Sequence, residues 1–268
     1  SAGVLRLTNI AALGAAGQAL SMTGGTLDLS TDATVNAYNV TVNGTATIVS
    51  NRNTAGAGIT HTLGTLSIGA GDQLNVTAGT NVSSGTAALT MGTVTLSAST
   101  PVFDVAAGAN LTLGALTNNS AFTKQNSGQL TLNTASARTG GTVTLSAGTM
   151  KLGIVNALGT TGVPLALNGG ILDLATDATV NAYNVTVNGN ATIASNRATS
   201  GAAITHTLGT LSIGAGDQLN VTVGSNITSG TAGLIMGTTT FSAATPLFDI
   251  AIDANLTLGA LAGNFAFT

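Results

Sequence analysis

The chain contains no cysteine, no tryptophan and no glutamate among its 268 residues. Without cysteine it forms no disulfide, carries no thiolate nucleophile and offers no cysteine-based metal site, while the compartment stays open. Charge is scarce, at 6% of residues against about a quarter in an ordinary globular chain. The six cations, Arg6, Arg52, Lys124, Arg138, Lys151 and Arg197, are scattered, and the net charge is −3. Nucleic acid needs a concentrated basic surface, and anionic lipid needs clustered Lys and Arg, so neither is an expected partner. No apolar run approaches the eighteen or so residues of a spanning helix. With two Tyr and no Trp, the chain also lacks the aromatic girdles of an outer-membrane barrel, so no membrane insertion of this segment is expected. Strong helix formers are few. Ser1 opens the chain with no signal peptide behind it, so any targeting segment is expected to lie outside it.

What is present is glycine (36), threonine (47) and a 44% hydrophobic fraction, too apolar for a disordered chain and rich in strand formers. The stretch TDATVNAYNVTVNG at 31–44 recurs letter for letter at 176–189. Sliding the sequence by 145 positions aligns 1–123 with 146–268, and about 86 of those 123 positions match. ITHTLGTLSIGAGDQLNVT recurs intact at 59–77 and 204–222. Residues 124–268 therefore form a complete repeat unit and 1–123 an incomplete one. The chain begins and ends within the pattern, as expected of a segment from a longer array.

A finer rhythm runs inside each period. LTL (111–113), LTL (130–132), VTL (143–145), LDL (172–174) and VTV (185–187) alternate apolar and polar residues, placing Leu and Val on one face and Thr, Asp or Asn on the other. Gly, Asn and Ser punctuate these runs where turns are needed. Strand centres near Leu66, Leu89, Leu111, Leu130 and Met150 lie 19 to 23 residues apart. Coils of roughly twenty residues built from short strands and tight turns predict an all-β fold, a right-handed parallel β-helix, continuous over 1–268. Seven such coils would fill one period and advance roughly 33 Å at about 4.8 Å per coil. A single coil has too few apolar residues to bury alone, and stacking puts Leu on Leu and Val on Val. Successive β-sandwich domains would need boundaries and linkers that the sequence does not show.

At 122–153 the sequence reads FTKQNSGQLTLNTASARTGGTVTLSAGTMKLG, continuing through NALG (156–159) to LALNGGILDL (165–174). This resembles the autotransporter-associated β-strand repeat of bacterial surface passengers. Lys124, Gly128, Leu130, Leu132, Gly140, Gly141, Gly148, Leu152, Gly153, Gly170 and Leu172 sit at matching places. Gln125-Asn126 and Arg138 depart from the pattern, which favours small residues and an aromatic there. The resemblance covers about fifty residues and implies a parallel β-helix exported to the bacterial exterior, often as a stalk or adhesin.

Solenoid enzymes acting on polysaccharides use clustered Asp with Arg, Lys or His nearby. Here Asp72 and Asp104, with their copies Asp217 and Asp249, are isolated in sequence. Asp28 and Asp32, and their copies Asp173 and Asp177, are four apart; weak cation binding by these pairs is one reading, solvent-facing Asp bonded to its own turn the other. His61 and His206 lie one period apart in ITHTLG, with no second ligand nearby in sequence, and are read as surface or turn residues. No G-x-S-x-G elbow appears, and G-x-G patterns such as 69–71 read as turns. The triplets TAT (45–47), THT (60–62), TVT (93–95) and TVT (142–144) recur at irregular intervals, which argues against an ice-binding array. Sequons such as Asn39-Val-Thr41, Asn75-Val-Thr77 and Asn110-Leu-Thr112 leave glycosylation open.

The sequence thus predicts a non-enzymatic, extracellular solenoid, a stalk or filament serving reach, self-assembly or adhesion, with no cofactor, no metal and no catalytic residue assigned. The expected partners are neighbouring repeats of the same protein, including an end-to-end homopolymer, and surface glycans. A glycan-binding adhesin and a polysaccharide-acting β-helix are the rival readings.

Overall fold

The computed structural model of the chain describes residues 3–97, 100–242 and 245–263. These residues are all-β, with every strand pairing parallel to its neighbours and no helix among them. The chain divides into two compact units, Ser1–Thr131 and Leu132–Thr268.

In the first unit the chain winds through three parallel sheets in turn. Val4–Leu7, Thr26–Ser30, Thr45–Asn51, Gln73–Ala78, Val102–Val105 and Phe122–Gln125 stack in one of them. Ala19–Met22, Asn39–Val42, Leu66–Ile68, Val94–Leu96 and Leu116–Thr117 stack in the second. Thr60–Thr62, Ala87–Met91 and Ala109–Leu113 belong to the third. A parallel sheet whose neighbouring strands are successive passages of one winding chain is a parallel β-solenoid, the fold that the period-2 alternation predicts.

Register carries the apolar residues into columns. Leu5 pairs with Leu27, Leu27 with Ile48, Ile48 with Val76, and Val76 with Val105. On the second sheet Val40, Leu66, Val94 and Leu116 form a column in which every member is buried. A slip of one residue would turn each column outward, so the buried face fixes register throughout. The second unit repeats the scheme with Met150, Leu172, Ile193, Val221 and Ile250 in the first column's place.

The steps along that column are 22, 21, 28 and 29 residues in both units. A 145-residue period at such steps holds about six windings, not the seven expected from a uniform twenty-residue coil. The reason is visible in the spacing used for that expectation: Leu89 stacks on Leu111, but Leu66 belongs to a different sheet and stacks under Val94. The two long windings carry a side excursion. Gly56–Ala57 leaves the main winding and pairs with Val82–Ser84 from the next one, and Gly201–Ala202 pairs likewise with Ile227–Ser229.

Candidate functional site

The richest polar cluster lies at the corner where the strand Thr45–Asn51 ends and the excursion begins. Its strand reads TATIVSN with burial alternating until Ser50 and Asn51, both of which are buried. Two consecutive buried polar residues mark the place where the pleat gives way to the corner. Asn51 is fully used there. Its Nδ2 donates to Asp28 Oδ1 (3.0 Å) and Ser30 Oγ (3.2 Å), and its Oδ1 accepts from the backbone N–H groups of Arg52 (2.9 Å) and Asn81 (3.2 Å). Ser30 Oγ also donates to Asp28 Oδ1 at 3.0 Å, and Arg6 Nε donates to Asp28 Oδ2 at 2.8 Å. Buried polar groups persist when every member of the network has its partner, as these do.

Asp32 stands on the outer side of the same corner. It accepts from Thr54 Oγ1 (2.8 Å) and Thr54 N (3.2 Å) and pairs with Arg52 Nε at 3.3 Å. The Thr54 hydroxyl, its amide and the nearby guanidinium hold this carboxyl below its usual range. The second unit keeps the arrangement through Asp177, Thr199 and Arg197, with Arg197 Nε 3.0 Å from Asp177 Oδ1. Asp28 and Asp32 therefore face different partner sets: the first is buried against Asn51, the second is exposed against Thr54. Asp173, half-buried, likewise accepts from Asn196 Nδ2 at 2.8 Å, while Asp177 is exposed against Thr199.

His61 and His206 are not surface or turn residues. Both are fully buried, each at the centre of a T-H-T strand whose threonines are exposed. Alternation alone decides this, because the middle residue of the strand points inward, where Leu89 stacks on His61 and Leu234 on His206. Nε2 of each ring lies 2.8 Å from a backbone carbonyl, of Asn51 and of Asn196. A carbonyl only accepts, so Nε2 carries the proton and Nδ1 is the bare nitrogen. Nδ1 is buried and has no hydrogen-bond partner among the described residues in either copy. Burial pushes both imidazoles below their ordinary pKa, outweighing the carbonyls that favour the charged form.

Two of the six scattered cations are inside. Lys124 is fully buried, donating to the carbonyls of Gln125 (2.8 Å) and Asn126 (2.6 Å), and burial lowers its pKa to about 8 despite the nearby Asp104. Arg138 is buried as well, donating to Gly141 O at 3.0 Å, with its pKa lowered by burial to about 10. The only sequence signal was positional: Lys124 occupies an inward place in FTKQ, two after the buried Phe122. Tyr38 and Tyr183 are also interior. Each hydroxyl accepts from a backbone amide, Leu13 N at 3.1 Å and Leu158 N at 3.2 Å. Burial raises the Tyr183 pKa to about 12.

The remaining sequence candidates are dispersed. Asp72 and Asp217 each cap their own turn by accepting from the amide three residues earlier. Asp104 accepts from Gln125 Nε2 and Asn126 Nδ2, and Asp249 is exposed. Thr45 and Thr47, Thr60 and Thr62, and Thr95 belong to three different sheets, so no flat threonine face is assembled from these triplets. Among the described residues no group of three or more His, Asp or Glu side chains is placed to hold a metal ion. No family model, no curated protein and no solved structure matches this chain.

Proposed function

We propose that this chain is a structural segment of a bacterial surface protein, a solenoid stalk or filament outside the cell that serves reach, self-assembly or adhesion. The observation that carries the reading is the use made of the polar residues that the two repeat units share. Asn51, Asp28, Asp32 and Thr54, with their copies Asn196, Asp173, Asp177 and Thr199, spend side-chain hydrogen bonds on one another and on the backbone of the corner. A repeat that keeps such groups for internal bracing, and renews the same apolar columns in each unit, is organised for propagation along a stack. The resemblance to autotransporter passenger repeats supplies the surface location.

Electron microscopy of the purified chain tests this. Slender rods with an axial spacing near about 4.8 Å are expected; compact particles would overturn it. Adhesion to glycans is a second reading, favoured by one feature. Thr47, Asn75, Asp104 and Gln125 form an outward column of hydrogen-bonding side chains on successive strands, a surface suited to sugar hydroxyls. Selective retention on a glycan array, abolished by Asn75→Ala, would move the assignment toward an adhesin.

A further inference from the structure

In each unit a histidine closes the neck of the side excursion. The chain leaves the main winding after Asn51 and returns on Thr60–Thr62, and His61 Nε2 donates to Asn51 O at 2.8 Å across that ten-residue separation. Ser50 braces the same neck: its Oγ donates to Ala88 O at 3.0 Å and lies 3.4 Å from Ile59 O. The second unit repeats the clasp, with His206 Nε2 on Asn196 O at 2.8 Å and Ser195 Oγ 3.2 Å from Ile204 O.

The segment beyond the clasp is held lightly. None of residues 52–60 is buried, nor any of 197–205, so His61 and His206 are the first core side chains after Asn51 and Asn196. The excursion strand has two residue pairs, Gly56 with Val82 and Ala57 with Ser84, and the register breaks between them. Its other ties, Gly56 N to Asn81 O at 2.9 Å and Arg52 Nη1 to Ala57 O at 3.1 Å, lie near the surface. A segment with so little buried side chain opens at lower free energy than the stacked columns beside it.

The clasp works only with a neutral ring. Nε2–H is committed to the carbonyl, and Nδ1 is buried without a hydrogen-bond partner among the described residues in both copies. A proton arriving at Nδ1 finds no acceptor there and places a charge in the core, which is costly. Around His61 the carbonyls of Asn51 and Leu29 and the carboxylate of Asp28 favour the charged ring, and Arg52 opposes it. Asp28 is already engaged by Arg6, Ser30 and Asn51. Around His206 the Asn196 and Leu174 carbonyls and Asp173 favour charge. The strands stacked on the two rings, Ala87–Met91 and Ala232–Met236, bring no titratable group. Burial outweighs these influences, so the ring takes its proton once it has swung out to water. We propose that protonation of this histidine in mild acid releases the neck and opens the excursion in each unit, while the main windings stay stacked. The device belongs to the repeat itself and does not depend on where the protein works.

Amide hydrogen exchange of the full chain, read residue by residue about one pH unit above and below the free imidazole pKa of about 6.5, is the test. Rates are corrected for the intrinsic dependence of exchange on pH. Exchange at Gly56 and Gly201, whose amides bond Asn81 O and Asn226 O at 2.9 Å, should rise by about tenfold on acidification. Exchange at Leu66 and Leu211, which bond Thr93 O and Thr238 O in the main windings, should hold steady. In His61→Gln the response should vanish at Gly56 and persist at Gly201, so the second clasp serves as the control within one molecule. Nitrogen-15 spectra of the imidazoles in the natural chain supply a measurement that needs no variant. They should show the Nε2–H tautomer at neutral pH, and ring protonation in step with exchange at Gly56 and Gly201. No rise at the two glycines, an equal rise at Leu66 and Leu211, or a response at Gly56 that survives His61→Gln would overturn the proposal. An Nδ1–H tautomer would overturn it too.

Discussion

Gly79 lies directly against the side chain of Asn51: a β-carbon at position 79 would stand 2.0 Å from Asn51 Cγ. Gly224 and Asn196 repeat the relationship at the same 2.0 Å. The glycine is required here by space rather than by backbone dihedral. It leaves room for the amide that ties Asp28, Ser30 and the amides of Arg52 and Asn81 together across successive windings.

Gly79→Ala should accordingly displace Asn51 and cost about 2–4 kcal/mol, as overpacking combined with broken buried hydrogen bonds does. Gly140→Ala is the control, because a β-carbon there meets nothing within 4 Å. Urea denaturation of both variants checks this, and an equal effect at the two sites would refute the packing argument. In an Asn51→Ala background the cost of Gly79→Ala should shrink, since the clash then has no target.

The histidines predict a stability that fails on mild acidification. Burial depresses their pKa in the folded state below the ordinary value of about 6.5, so the unfolded chain binds protons first as the pH falls. The stability they contribute is complete above about pH 6.5 and is lost as the pH drops toward the folded value, with a limiting slope of about 1.4 kcal/mol per pH unit for each ring. Asp32 and Asp177 titrate below their ordinary 3.8 and stay out of this window. Denaturation midpoints measured between pH 7.5 and pH 5, values chosen to span about one unit either side of free imidazole, should fall for the natural chain. The double variant His61→Gln, His206→Gln should be nearly flat over the same range.

Tyr38→Phe should cost about 1 kcal/mol, because it removes the hydroxyl that accepts from the half-buried amide of Leu13 and donates to the carbonyl of Ile10 at 3.2 Å. Tyr183→Phe should do the same to Leu158 N and to Val155 O, 3.1 Å away. Amide hydrogen exchange reads the effect locally: protection at Leu13 should drop in Tyr38→Phe while protection at Leu89 holds.

The alternation itself is testable on one strand. Leu89→Ala should cost about 2–5 kcal/mol, since it opens a cavity in the column between His61 and Leu111. Its outward neighbour Thr90→Ala should stay within about 0.5 kcal/mol. Equal costs at the two positions would show that the burial period is not 2.

The sequence by itself determined the all-β class, the parallel stacking and the duplication. Period-2 alternation, glycine-rich turns and a 145-residue self-match are local or internal properties that need no knowledge of which strand lies beside which. The same alternation, followed strictly through Thr60, His61 and Thr62, would have put His61 inside. Only the tertiary structure decided the rest. Steps of 28 and 29 residues arise because Gly56–Ala57 and Val82–Ser84 pair outside the main winding, a non-local event invisible in a spacing count. Asn51, Asp28 and Gly79 are separated by 23 and 28 positions along the chain, yet one corner depends on all three. Burial of Lys124 and Arg138 follows from carbonyls that turn inward to meet them, and hydrogen-bond geometry of that kind exists only after the coils have stacked.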